Sequence, residues 1–206
     1  MTLQKKFIRF SQAVLIIAGI VLLAVHSSVL PSYYSPRFMG IMAFVYVFII
    51  QLPLFVFRIP ADDNAGAVKE KMFFRGQLQA ALAVGLLLGG LGSLGLWGLY
   101  NVGIPYDKFV HFSFTAIMMV SGAYVLYAFN GWSLMKSIIF VAFVVGLSGV
   151  VWEFIEFGAD RWLHVGYFGQ LFDHDSMFDI YTDLLGVIAG TGIIAWRQWL
   201  KRNLTS

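Results

Sequence analysis

Charged residues are scarce in this sequence, and cysteine is absent altogether. Only 12% of the 206 residues are charged and 59% are hydrophobic, whereas soluble domains carry roughly 25% charged residues. So few charges cannot cover a water-facing surface, which excludes an ordinary soluble globule. Without cysteine there are no disulfides, thiolate metal ligands or iron–sulfur clusters. The net charge of +3 is small and scattered, so it does not indicate a nucleic-acid partner.

What the sequence does have is six long apolar runs. They cover about residues 11–30, 38–57, 77–100, 110–129, 137–157 and 179–200. A helix of about 20 apolar residues crosses the hydrocarbon core of a bilayer, and continuous apolar runs without a period of two disfavour a β-barrel. The first run has no Ala-x-Ala cleavage site, so we expect a retained helix. We therefore predict an all-α, polytopic membrane protein with a single six-helix transmembrane domain over residues 1–206.

The distribution of Lys and Arg predicts the orientation of this bundle. Of the 14 Lys and Arg residues, 11 fall at the termini and in the second and fourth connections. The other connections hold three, namely Arg37, Lys108 and Arg161. Because Lys and Arg are enriched on the cytoplasmic side, we predict that both termini are cytoplasmic. The first, third and fifth connections then face outward.

Three groups of ionisable residues lie at the outward ends of the last three predicted helices. Such residues cost about 2.5–3.5 kcal/mol each at the centre of a span, so their placement is informative. Spacings of three and four put the members of each group on one helical face. The groups are Asp107 and His111, then Glu153, Glu156 and Asp160, then Asp179 and Asp183.

So many carboxylates in one place repel one another unless they are protonated, paired with basic residues or bound to a cation. Lys108 and Arg161 are the nearby basic residues and offset only two charges. We therefore predict a divalent metal site. Carboxylates with an imidazole and no sulfur suit zinc or manganese better than magnesium or calcium. The predicted ligands are Asp107, His111, Glu153, Glu156, Asp179 and Asp183, of which Glu153, Glu156 and Asp183 are also the predicted catalytic residues.

Some of these residues also allow a structural interpretation. Asp107 and Asp179 are compatible with helix N-caps, and His111 with a histidine hydrogen-bonded inside the bundle. Glu153 and Glu156 have no capping use, because a helix C-terminus disfavours negative charge. Further candidate ligands on the outward side are His26, His164 and, between two aspartates, His174. The motifs Gly85-x3-Gly89 and Gly186-x3-Gly190 predict close helix contacts.

Three blocks in the second half of the chain resemble the YjdF-like family of bacterial inner-membrane proteins of unknown function. The blocks are Asp107-Lys108-x-x-His111-Phe112, Trp152-Glu153-x-x-Glu156-Phe157 and Asp175-x3-Asp179-x3-Asp183 followed by Gly186. A fainter similarity is to VanZ-like proteins, which share the Asp-Lys-x-x-His block and are associated with glycopeptide (teicoplanin) resistance at the cell envelope. The resemblance covers about Asp107 to Gly190. It implies a multi-pass protein of the bacterial inner (cytoplasmic) membrane and gives the motif positions, but no reaction.

Our leading functional hypothesis is a metal-dependent membrane enzyme whose site opens to the extracytoplasmic leaflet. The site lies at headgroup depth in the bilayer, so we expect hydrolysis or group transfer on a lipid or lipid-linked envelope substrate. An alternative is a proton- or cation-coupled transporter that uses the same carboxylates, although no inverted repeat places a site at the midplane. A third hypothesis is a structural or assembly subunit in which a cation stabilises the bundle.

Overall fold

The computed structural model describes residues 2–25, 36–158 and 175–204. Over these residues the chain is helical and contains no strand. The helices are α1 (Leu3–Ala24), α2 (Pro36–Val56), α3 (Ala65–Ser93), α4 (Tyr106–Asn130), α5 (Leu134–Gly158) and α6 (Asp175–Leu204), with a 3-10 helix at Leu96–Val102. All six α-helices are long and apolar enough to cross a membrane. The predicted all-α, six-helix membrane architecture is confirmed.

The third helix differs most from its predicted bounds. It begins at Ala65 and not near residue 77, so part of the connection between the second and third apolar runs forms its first turns. The Asn64 side chain accepts a hydrogen bond from the Ala67 amide at 2.9 Å and caps this helix. The helix ends at Ser93, before the predicted end near residue 100, and Gly95 follows with a φ of 129°. Because only glycine adopts such a φ readily, Gly95 turns the chain out of α3 into the 3-10 helix.

The helices pack as two groups of three that are joined where α3 meets α4. In the first group, α1, α2 and α3 bury a cluster of Ile8, Leu15, Ile50 and Ala83. In the second group, α4, α5 and α6 bury a cluster of Met119, Ala123, Tyr124, Val141, Val187 and Ile194. After α4 the chain turns at Gly131, which has the left-handed conformation with a φ of 62°. The next helix, α5, then runs back alongside α4. The predicted site residues all belong to the second group.

Glycines let α6 approach the backbone of α4 closely. A Cβ atom added at Gly186 would lie 2.7 Å from the carbonyl oxygen of Phe112, and one at Gly190 would lie 2.7 Å from that of Ala116. The predicted close contact at Gly186-x3-Gly190 is thus present in the structure. In the Gly85-x3-Gly89 motif, a Cβ atom added at Gly85 would meet the ring of Phe114, whereas one added at Gly89 would meet no other described residue within 4 Å.

Six crossings return the chain to the side on which it starts, and the excess of Lys and Arg predicts that this side is the cytoplasm. Because the native sequence has no cysteine, labelling of a single introduced cysteine shows on which side of the membrane that residue lies. In intact cells, an impermeant maleimide is expected to label Asn101→Cys, before α4, but not Asp62→Cys, before α3. Permeabilised cells should show labelling of both. Labelling of Asp62→Cys alone in intact cells would contradict the orientation.

Candidate functional site

The candidate site forms where one end of α4, α5 and α6 meet. Asp107, Lys108 and His111 lie on the first turns of α4, and Asp179 and Asp183 lie on the first turns of α6. The α5 helix runs in the opposite direction, so its C-terminal turns bring Glu153 and Glu156 to the same end of the bundle. The convergence follows from the spacing of three or four residues within each group, because that spacing presents the whole group on one face.

His111 is at the centre of the cluster. Its Nδ1 lies 3.1 Å from Oδ1 of Asp183. Its Nε2 faces the other carboxylates, at 3.7 Å from Oδ1 of Asp107 and 3.9 Å from both Oε1 of Glu153 and Oδ1 of Asp179. The imidazole therefore has one nitrogen bound to a single carboxylate and the other surrounded by three. Asp107, His111 and Asp179 each offer a ligand atom, and these atoms lie within 4.8 Å of one another.

Lys108 pairs with two carboxylates of the cluster. Its Nζ lies 2.7 Å from Oδ1 of Asp179 and 3.3 Å from Oδ2 of Asp107. This pairing is the charge compensation that the sequence suggested for Lys108. Five carboxyl groups nevertheless gather around one lysine and one histidine in the described part of the site. Negative charge is therefore in excess, which favours binding of a cation.

Glu153 is the least satisfied carboxyl group of the cluster. The residue is 3% exposed, and neither carboxylate oxygen has a hydrogen-bond partner within the described residues. The side chain of Ser176, on α6, is close enough to act on this carboxyl group. Burying a polar group without a partner costs free energy, and burying a charge costs more. A cation bound between Glu153 and His111 would remove this cost.

Glu156 lies one turn beyond Glu153 and is half-buried. Its carboxyl group is within electrostatic reach of Glu153, His111, Asp107 and Asp179. The carboxyl group of Asp107, 32% exposed, is the most accessible of the acidic groups with a contact to His111. Glu156 and Asp107 thus border the buried core of the site, which consists of His111, Glu153, Asp179 and Asp183.

The helix-cap interpretation fails for both aspartates to which it applied. The residue at the N-cap of α4 is Pro105, which makes no side-chain cap, and Asp107 lies inside the first turn. Asp179 lies four residues inside α6, which begins at Asp175. Both carboxylates are near the positive ends of their helices, where negative charge is favourable. Glu153 and Glu156 lie near the negative end of α5, where negative charge is unfavourable.

Sequence reasoning missed Gly149. This residue lies on α5 four positions before Glu153, on the same helical face, and the Asp183 side chain packs directly on its backbone. The four-residue spacing from Glu153 is the signal that could have identified it. Other candidates, namely His26, Asp160, Arg161, His164 and His174, lie outside the described residues.

Three residues of the cluster have the spacing expected of metal ligands. Zinc bonds of about 2.0–2.2 Å to nitrogen and oxygen place tetrahedral ligand atoms about 3.4 Å apart. Asp107, His111 and Asp179 each offer a ligand atom within 4.8 Å of the others, and the Asp107 and Asp179 oxygens are 3.7 and 3.9 Å from Nε2 of His111. Oε1 of Glu153 is also 3.9 Å from Nε2, but Glu153 does not belong to this group of three and would have to move further to join a shared ion.

Comparison with known proteins identifies the family. A family model described as a predicted membrane protein (DUF2238) matches residues 10–201, which is nearly the whole chain. YjdF-like proteins are members of this family, whereas the fainter similarity to VanZ-like proteins finds no support in this match. No curated protein and no solved structure matches the chain.

Proposed function

This chain belongs to the DUF2238 family of predicted membrane proteins, and we propose that it is a metal-dependent enzyme of the bacterial inner membrane. Its site would open to the extracytoplasmic leaflet and act by hydrolysis or group transfer on a lipid or lipid-linked envelope substrate. The family establishes a membrane protein. The reaction is inferred from the chemistry of the cluster on α4, α5 and α6.

One observation carries the proposal: Nε2 of His111 faces three carboxylate oxygens at 3.7 to 3.9 Å, and one of them belongs to Glu153, which is buried without a hydrogen-bond partner among the described residues. A protonated histidine offsets only one of these negative charges. A divalent cation among Nε2 of His111, Asp107 and Asp179, whose ligand atoms lie within 4.8 Å of one another, would also lie beside Glu153 and offset its charge. The mixed nitrogen and oxygen donors, with no sulfur, favour zinc or manganese over magnesium or calcium.

Each residue around this centre would have its own role in a hydrolytic or transfer reaction. When bound, the metal would supply a Lewis acid and an activated water. Glu156 is half-buried and forms no ion pair with His111 in the described part of the chain, so it is our candidate general base. Lys108 holds Asp179 in place through its 2.7 Å ion pair. The partly exposed Asp107 lies on the side from which a substrate would enter.

The surroundings of the site support a lipid-borne substrate. The cluster lies at the ends of three membrane-spanning helices, α4, α5 and α6, which is the depth of lipid headgroups. A shallow apolar groove of about 300 Å³ also runs along α5, but it lies on a different face of the helix from Glu153 and Glu156. Its lining is Val144, Leu147, Ser148, Val151, Trp152 and Ile155. The depth of the cluster, and not the groove, is what suits a molecule with an acyl or prenyl chain and a polar head.

Replacing Glu156 by glutamine is expected to abolish turnover while leaving the metal in place, because we assign Glu156 the role of base and not of ligand. Wild-type protein in liposomes of bacterial envelope lipids, loaded with zinc or manganese, should alter the headgroup of a lipid detected by mass spectrometry. Chelation should stop this reaction. The matched control is Asp62→Asn, at an exposed position outside the cluster, which should keep both metal and turnover.

The wild-type protein should hold about one metal ion per chain after reconstitution. Finding no bound zinc or manganese would overturn the metal site and would favour the proton-coupled transporter instead. Full turnover by Glu156→Gln would remove the general base from the proposal.

A further inference from the structure

The side chain of Asp183 is enclosed between His111 and the backbone of α5. Asp183 is 4% exposed, and its Oδ1 lies 3.1 Å from Nδ1 of His111. On its other side, a Cβ atom added at Gly149 would lie 3.1 Å from Cγ of Asp183, 3.3 Å from its Cβ and closer still to its Oδ2. Real Cβ atoms are rarely so close to other side chains. Asp183 therefore occupies space that exists only because residue 149 is glycine.

We propose that Asp183 and Gly149 are positioning residues that fix Nε2 of His111 as its metal-binding nitrogen. Asp183 acts directly on the imidazole, and Gly149 acts through Asp183. The inference rests on the proposed function in one respect, namely that a cation binds on the Nε2 side of the ring. Asp183, which the sequence grouped with the metal ligands, is thereby assigned to the opposite side of the imidazole.

The physical reason lies in the two nitrogens of the ring. A carboxylate only accepts hydrogen bonds, so the contact with Asp183 requires a proton on Nδ1 of His111. With Nδ1 protonated, Nε2 is the nitrogen that can lose its proton and coordinate a metal. Metal-binding histidines commonly donate their other ring N–H to a carboxylate, and loss of that partner typically lowers metal affinity 10–100-fold.

The backbone of α4 at His111 is also fixed, by a hydrogen bond and by packing against α6. The hydroxyl of Thr115 donates to the carbonyl oxygen of His111 at 2.6 Å. Gly186 of α6 packs against Thr115 and the carbonyl oxygen of Phe112. Because α6 is packed tightly on α4, the backbone at Asp183 has little freedom to shift relative to His111. A methyl group at position 149 would therefore push on the Asp183 side chain itself and displace the carboxyl group that contacts the imidazole.

The test compares Gly149→Ala and Asp183→Asn with the control Gly146→Ala. Gly146 lies on the same helix one turn earlier, and among the described residues a Cβ there would meet only Cδ2 of Leu184, at 3.9 Å. Zinc affinity, measured by competition with a chelating dye, is expected to fall roughly 10–100-fold in the two test variants and to stay within about twofold in the control. Asparagine is nearly isosteric with aspartate, so Asp183→Asn should fold even if Gly149→Ala does not.

A second measurement does not depend on metal. In protein labelled with ¹⁵N-histidine, the hydrogen-bonded Nδ1 proton of His111 should give a resonance that both test variants shift or lose. The chain has 4 histidines, and His111→Gln assigns the signal. An asparagine can donate to Nδ1 as well as accept from it, so Asp183→Asn permits the tautomer that is protonated at Nε2.

Wild-type zinc affinity together with an unchanged Nδ1 resonance in Asp183→Asn would overturn the positioning role and leave the proposed metal site standing. A wild-type protein that binds no zinc, but whose Nδ1 resonance responds to both test variants and not to Gly146→Ala, would uphold the positioning of His111 and overturn the proposed function. A response to Asp183→Asn alone in folded protein would remove Gly149 from the proposal.

Discussion

Replacing Glu153 by glutamine is expected to abolish metal binding and, at the same time, to make the metal-free protein more stable. Glu153 is buried, and its two carboxylate oxygens have no hydrogen-bond partner in the described structure. A buried polar group left without a partner costs about 1–3 kcal/mol, and more when it is charged. The glutamine amide is neutral and can donate to the neighbouring carboxylates, so the variant removes much of this cost.

The two effects are separated by a thermal-unfolding experiment in detergent with and without zinc. In the presence of a chelator, Glu153→Gln should unfold at a temperature several degrees above that of the wild type, at roughly 2–4 °C per kcal/mol. Saturating zinc should stabilise the wild type by about 2.7 kcal/mol at 100 times Kd and leave the variant unchanged. Adding zinc is therefore expected to narrow or reverse the difference between the two melting temperatures.

Glu70→Gln provides the matched control, because it makes the same chemical change at an exposed position of α3. It should change neither the melting temperature nor the response to zinc. A Glu153→Gln protein that binds zinc like the wild type would exclude Glu153 as a ligand. Lower stability of this variant under chelation would show that the Glu153 carboxyl group contributes to the fold itself, contrary to the interpretation of a group kept for a cation.

Replacing Gly190 by leucine is expected to prevent stable packing of α4 against α6. A Cβ at this position would lie 2.7 Å from both the carbonyl oxygen of Ala116 and Cβ of Met119. Neither is the end of a flexible side chain, so the helices must separate. Overpacking costs typically 1–3 kcal/mol and sometimes more, and we expect at least about 3 kcal/mol for leucine here because the contact is with backbone. His111 is on α4 and Asp179 is on α6. Metal binding should therefore be lost when these two helices no longer pack together.

The matched control for Gly190→Leu is Gly192→Leu, two residues along the same helix. Gly192 is exposed, and a Cβ atom added there would lie more than 4 Å from the other residues that the structure describes. Size-exclusion chromatography in detergent should show monodisperse protein for Gly192→Leu and a large loss of it for Gly190→Leu. Equal yields and melting temperatures for the two variants would contradict the close approach of α4 and α6.

The sequence predicted the architecture because the membrane constrains it strongly. Each crossing needs about 20 apolar residues, and every backbone group must be satisfied within the helix. Composition and run length were therefore sufficient for six helices. The bounds of α3 were less predictable, because the polar turns from Ala65 onward lie beyond the apolar run, and hydropathy does not record a helix that continues past the hydrocarbon core.

The order of residues along the chain was enough to predict that acidic residues and a histidine gather at one end of the last three helices, since spacings of three and four fix the face that each helix presents. How these groups pair depends on the packing of the helices. His111 and Asp183 are 72 positions apart, and which nitrogen of the imidazole meets which carboxylate depends on the rotation and depth of α4 against α6. That rotation depends on Gly186 and Gly190 of α6, which allow close approach to α4. The Gly186-x3-Gly190 pattern predicts a close contact, but it does not tell which helix is approached or which carboxylate then meets His111.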